Sequence, residues 1–196
     1  RRQRQMCIRD RYKSEYQDLC RGLSLYSRGY LEGIIAAQSQ INGGYIIDEM
    51  LTADTLRLVN SDFLKASKGR FSVTGRELSY TLAKETTGRQ RYTALALLSD
   101  RCNVNVYSND TDGRLEKASF CGYVDYYDKM PAVFRSSKIN LNISLCTIQT
   151  GIPLRVLDIM ACGGFVLTNM QPELMEYFIP GEDVAVYEDM KDMIAK

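Results

Sequence analysis

The stretch "KINLNISLCTIQTGIPLRVLDIMACGGFVLTN", residues 138–169, places one helical pattern between two strand patterns and carries unusual punctuation for an apolar segment. Residues 138–145 alternate polar and apolar side chains, the period of a β-strand, and "GFVLTN" (164–169) is a short apolar run of strand length. Between them Pro153 opens a helix, where its missing N–H costs nothing, and Gly163 closes it. A strand, a short helix and another strand in succession form the crossover unit of a parallel sheet.

The same alternation continues on both sides. "CNVNVYS" (102–108) and "VAVYE" (184–188) read as further strands. Helical candidates lie at "KMPAVFRSS" (129–137), "QPELMEYF" (171–178) and "EDMKDMIA" (188–195). Upstream, the segment from Tyr12 to about Leu64 has helical spacing, as in "YLEGIIAAQSQI" and "DEMLTADTLRLVN", interrupted at Gly43-Gly44; two or three helices are expected. "KASKGR" (65–70) separates it from a long helical pattern over residues 77–101, with room for a break near Thr87-Gly88. The fold class expected is α/β: a Rossmann-like, doubly wound parallel sheet preceded by a helical segment.

Residues 1–11, "RRQRQMCIRDR", are set aside. "MCIRD" back-translates to a transposon adapter used in sequencing libraries, and an adapter left in an assembled contig would be translated this way. The expected organisation is therefore 1–11 as artefact, 12–68 as a helical linker or remnant of an upstream domain, and 69–196 as the sheet domain, truncated at its C-terminus. Residues 1–11 hold five Arg and one Asp, so without them the net charge of +1 becomes −3. That balance gives no case for a nucleic-acid partner. With 45% apolar content the chain can build a core. It contains no long apolar run and no secretory layout, so no membrane span and a cytoplasmic location are expected. The sequence has no histidine, which removes the commonest general base and every Cys/His metal set. Its six cysteines form no close Cys-x-x-Cys pair and read as reduced thiols.

Function enters through the helix opened by Pro153. In open α/β sheets ligands bind beyond the C-terminal ends of the strands, and the amides of a helix start attract phosphate. Gly151 lets backbone approach a ligand, and Arg155 in the first turn can grip phosphate as a fork. Asp158 stands at i+3 from Arg155, so its carboxylate can face the same crevice and take two vicinal hydroxyls, such as those of a ribose. The competing reading is an ordinary i,i+3 ion pair on a solvated face. Asn140 and Asn142 share a strand face with Lys138 and Ser144 and read as half-buried polar positions, with Ile139, Leu141 and Ile143 opposite them in the core. Gly163 and Gly164 read as structural, and Arg89 and Arg91 as a solvated helix face. "DTD" (110–112) before Gly113 reads as a turn, so no metal site is assigned.

"SSKINLNISLCTIQTGIPLRVLDIMACGGFVLTNMQPELMEYFIPGED", with "YVDYYDKMPAVFRSSKINLN" and "KETTGRQRYTALALLSDRCNVNVYS" upstream, resembles the nucleotide-sugar-binding C-terminal domain of GT-B glycosyltransferases, in particular the CgeB-like, group 1 branch. The likeness covers about Tyr80 to Lys196, and more weakly the helical segment before it. It implies a hexosyltransferase-type enzyme that moves a sugar from a nucleotide diphosphate sugar to a glycan or protein acceptor, without a further cofactor. It also implies a missing N-terminal GT-B domain and little activity of this piece alone. The broader superfamily carries a Glu, seven residues and a second Glu before a small-Met-Ala-x-Gly turn. Asp158 takes the second position, with donor ribose as its implied partner, and Thr150 stands at the first. The donor set implied is Thr150, Gly151, Ile152, Arg155 and Asp158, with Arg91 as a diphosphate contact and Lys138 beside them. The alternatives are a non-catalytic nucleotide-binding or protein-interaction module of the same fold, and an epimerase-type sugar-nucleotide enzyme.

Overall fold

The computed structural model describes residues 3–6, 15–109 and 111–196. Its elements run β1 (Gln3–Met6), α1 (Glu15–Cys20), α2 (Leu25–Ser39), α3 (Ile47–Met50), α4 (Ala53–Ala66), α5 (Gly75–Ser99), β2 (Asn103–Val106), β3 (Ser119–Phe120), α6 (Met130–Ser136), β4 (Asn140–Asn142), α7 (Leu154–Ala161), β5 (Val166–Asn169), α8 (Leu174–Tyr177), β6 (Ala185–Tyr187) and α9 (Met190–Ala195). The chain divides into two compact units. One holds β1, residues 90–144 and 148–196; the other runs from α1 to Arg89 and takes in Leu145–Thr147. The division falls inside α5, beyond the boundary at 68/69 that the sequence suggested.

In the helical unit, caps and apolar spacing explain the elements. Ser24 and Thr52 cap α2 and α4 by accepting from the N–H groups of Ser27 and Thr55. Leu31, Ile34 and Ile35 of α2 are buried with Val59 and Phe63 of α4 and with Leu78 and Leu82 of α5, the i, i+3, i+4 stripe of a helix against a core. Thr74 and Glu77 form a reciprocal capping box ahead of α5: Glu77 N–H donates to Thr74 Oγ1 at 3.2 Å, and Thr74 N–H donates to Glu77 at 2.8 Å. With that start α5 runs unbroken through Thr87-Gly88, where a break was allowed for. "DEMLTADTLRLVN" is two helices, because Thr52 stops one and caps the next, so four helices precede α5 among the described residues.

All six strands of the other unit pair parallel, in the order β3-β2-β1-β4-β5-β6. The order reverses between β1 and β4, and chain succession runs outward from that pair in both directions. Gln3–Met6, in the segment set aside from the sequence reading, supplies β1, with Gln3 opposite Asn103 of β2 and Gln5 opposite Asn140 of β4. The pairing locates these residues in the sheet and leaves the origin of their codons a separate question. Consecutive strand residues point to opposite faces, and the apolar side chains sort accordingly. Leu141, Ile143, Leu167 and Tyr187 pack with Ala94, Leu95 and Leu98 of α5 and Met193 of α9. Val166 and Val186 pack with Met130 and Phe134 of α6, Val156 and Ile159 of α7 and Leu174 of α8. Helices therefore cover both faces of the sheet.

The polar face of β4 is fully buried rather than half-buried, with Asn140 at 2% exposure and Asn142 at 6%. Hydrogen bonds from the amide nitrogens meet much of that cost, while Asn140 Oδ1 is buried with no hydrogen-bond partner among the described residues. Asn140 Nδ2 donates to the carbonyls of Phe134 and Phe165 at 3.0 and 3.1 Å, and Asn142 Nδ2 donates to Ser144 Oγ and Thr168 Oγ1 at 3.0 Å each. Gly164 makes room for this arrangement. A Cβ there would lie 2.7 Å from the Phe134 carbonyl oxygen and 2.8 Å from Asn140 Nδ2, so the glycine is structural, as expected.

Because Leu141 lies at 5% exposure in the α5-side core, Leu141→Ala should lower the unfolding free energy by about 2–5 kcal/mol in urea titration. A change near zero would show that the strand phase is wrong.

Candidate functional site

β4 runs out at its C-terminal end into a loop that leads to Pro153 and α7. Pro153 sits at the N-cap, with φ −58° and ψ 123°, one residue ahead of the first helical residue, and no side chain caps the helix start. Val156 and Ile159 are buried and hold one face of α7 on the sheet. The helix closes with the Gly163 and Gly164 N–H groups donating to the carbonyls of Met160 and Ile159 at 2.9 Å each. Thr150 and Gly151 are exposed in the loop, and Gly151 adopts φ +89°, which favours glycine. The Gly151 N–H donates to the carboxylate of Glu173, which stands at the N-cap of α8. Ile152 is half-buried and packs into the core under α7.

Two arginines far apart in sequence lie toward this end of the sheet. Arg91, on the second half of α5, donates to the Ile143 carbonyl from Nη2 at 2.9 Å and from Nε at 3.3 Å. Burial draws its pKa down to about 10, and the positive field of Arg155 adds to that shift. Tyr187 of β6 is 1% exposed and lies in the field of Arg91; its hydroxyl is buried without a hydrogen-bond partner among the described residues. Burial pushes that hydroxyl well above its ordinary pKa. A guanidinium held this way, with a second arginine close enough to act on it and a buried hydroxyl in its field, makes a setting that suits an anion.

Asp158, half-buried on α7, accepts a hydrogen bond from the Tyr126 hydroxyl. Tyr126 lies in the loop ahead of α6, where Asp125 accepts from the Tyr127 and Asp128 N–H groups at 2.9 and 2.8 Å. The structure thus brings Arg91, Arg155, Asp158 and Gly151 to the C-terminal side of β4. It does not bring Lys138 there. Lys138 precedes β4 and is exposed at the strand's other end, about 20 Å of extended chain from Ser144. Arg89 and Arg91, read together as one solvated face, have separate roles. Arg89 Nη1 pairs with Glu32 at 2.7 Å and its Nε with Glu85 at 2.8 Å inside the helical unit, whereas Arg91 turns to the Ile143 carbonyl at the end of β4. Asp112 of "DTD" pairs with Arg114 at 2.6 Å. Among the described residues no group of acidic, Cys or His side chains is arranged to hold a metal ion.

Tyr126, Glu173 and Tyr187 are the residues that sequence reasoning passed over. The first lay in a stretch quoted only for likeness, and the other two looked like helix and strand filler. A family model described as "Glycosyl transferase-like" matches residues 64–196, and the chain belongs to that family. A search among curated proteins finds no significant match. Membership supports glycosyl transfer in general, with a sugar donor and an acceptor. Among the described residues no helix is long and apolar enough to cross a membrane.

Tyr126→Phe should cost about 1 kcal/mol in thermal or urea unfolding, below the usual worth of a hydrogen bond to a charged group because the pair is partly exposed. An unchanged midpoint would mean that Tyr126 does not hold Asp158 in solution.

Proposed function

We propose that the end of the sheet beside α7 binds the nucleotide diphosphate sugar of a GT-B glycosyltransferase, of the CgeB-like kind, and that this chain is its donor-binding part. The observation that carries the reading is the hydrogen bonding of Arg91 to the Ile143 carbonyl, which fixes its guanidinium at the C-terminal end of β4, the end from which the chain runs on to Gly151, Arg155 and Asp158. Two half-buried guanidinium groups at that end suit the two charges of a diphosphate. The strand order supports the setting. Reversal between β1 and β4, with helices on both faces, is what a doubly wound, Rossmann-like sheet gives, and ligands of such sheets sit at the reversal.

In the reaction, the bond from the sugar's anomeric carbon to the diphosphate oxygen breaks while an acceptor hydroxyl forms the new glycosidic bond and gives up its proton. The diphosphate departs with added negative charge. Arg91 and Arg155, with the amides that start α7, supply fixed positive charge where that negative charge develops. Asp158 offers its second carboxylate oxygen to a ribose hydroxyl, and Tyr126 holds the group in place. Acceptor binding belongs to an N-terminal domain, whose absence would leave this chain with weak donor affinity and little turnover. The sugar class is a hexose, and the reaction needs no further cofactor.

Ligand-observed NMR titration, which reads weak affinities, tests this on the chain with UDP, GDP and ADP and their nucleosides. Asp158→Ala should weaken nucleoside and nucleoside diphosphate alike, by about 1.5–3 kcal/mol. Arg155→Ala should weaken the diphosphate far more than the nucleoside, since only the diphosphate presents charge to the guanidinium. Binding of no nucleotide by the wild type, or variants that bind as it does while circular dichroism shows them folded, would overturn the donor site and favour an interaction module.

A further inference from the structure

We propose that Glu173 reads the sugar end of the donor and rejects sugars that carry a carboxylate; this rests on the donor-site reading above. β4 and β5 are neighbouring parallel strands, with Asn142 opposite Thr168, so the loops that follow them leave the same edge of the sheet. Glu173 belongs to the loop after β5. Its backbone is anchored on both sides: Gln171 is 4% exposed, Leu174 is fully buried, and the Leu174 N–H donates to the Gln171 carbonyl at 3.1 Å. From that footing the half-buried carboxylate crosses to the loop after β4 and accepts from the Gly151 N–H.

The opening of α7 therefore carries charge of both signs. Its positive side is Arg155 with Arg91. Its negative side is Glu173, bound to the residue two places before Pro153. An anion is drawn to the arginines and repelled at Gly151, although a lone backbone N–H there would otherwise suit a phosphate. A carboxylate anchored through one oxygen keeps acceptor capacity on the other, and a sugar hydroxyl fits that need. Thus a diphosphate sugar has one favoured orientation: phosphates toward Arg91 and Arg155, neutral hydroxylated ring toward Glu173. A uronic acid in the ring's place would set carboxylate against carboxylate, and this repulsion is the selective element.

Glu173→Gln is the discriminating variant, because its amide oxygen can still accept from the Gly151 N–H while the charge is gone. The probes are the tightest binder among UDP, GDP and ADP, with its glucose and glucuronate conjugates, titrated by ligand-observed NMR. The wild type should take the glucose conjugate about tenfold more tightly than the glucuronate conjugate, and Glu173→Gln should reduce that preference to about threefold or less. Affinity for the bare nucleoside diphosphate should change far less. Equal wild-type affinity for the two conjugates, or full discrimination retained in Glu173→Gln, overturns the role of Glu173 and leaves the donor site standing. Failure of every nucleoside diphosphate to bind the wild type overturns both.

Discussion

Arg91 lies where burial and the field of Arg155 both act against its charge. The backbone carbonyl of Ile143 accepts twice from Arg91 and so fixes that guanidinium at the C-terminal end of β4, the end from which the chain runs on to Arg155 in the first turn of α7. Two guanidinium groups at one end of a sheet suit an anion, and the rest of the sheet unit can be understood as the frame that holds these groups in place.

That frame is built from alternation. Leu141 and Ile143 enter the core beneath α5 and so carry the Ile143 carbonyl to the helix face that bears Arg91. On the other face of β4, Asn140, Asn142 and Ser144 are tied to the carbonyl of Phe134, to Thr168 and to Asn169, so the strand cannot slip against β5 without breaking a buried network. Val156 and Ile159 then fasten α7 to that face, which leaves Arg155 and Asp158 at the sheet's C-terminal edge. Gly164 allows the closest approach in this packing, against the Phe134 carbonyl. The placement of charge thus follows from a period-two strand, a short amphipathic helix and one residue without a side chain.

Much of this was legible from residue pattern, because strand alternation and helix punctuation are local. The strand and helix succession from Asn103 onward apart from the two-residue β3, the apolar face of β4, the helix opened by Pro153 and the structural role of Gly164 all needed only neighbouring residues. What escaped was non-local. Arg91 looked like Arg89 because both lie on one helix; only the fold turns one toward Glu32 and the other toward Ile143. The contact of Glu173 with Gly151 joins two loops that only strand pairing brings together. Lys138 and Asp158 were grouped by their nearness to one motif, yet the length of a strand separates Lys138 from the site. The strand Gln3–Met6 was passed over for a different reason: residues 1–11 had been set aside as a translated sequencing adapter, and "QRQM" has little of the apolar character of a central parallel strand that would have argued against it.

The central claim is that the two arginines hold an anionic donor. Paired urea unfolding of the wild type and Arg155→Gln, each with and without a saturating nucleoside diphosphate, measures it. The account predicts that the variant loses most of the ligand-induced stabilisation that the wild type shows. A variant that is clearly less stable without ligand, and that gains as much from the nucleotide as the wild type does, would show that Arg155 serves the fold and not the donor.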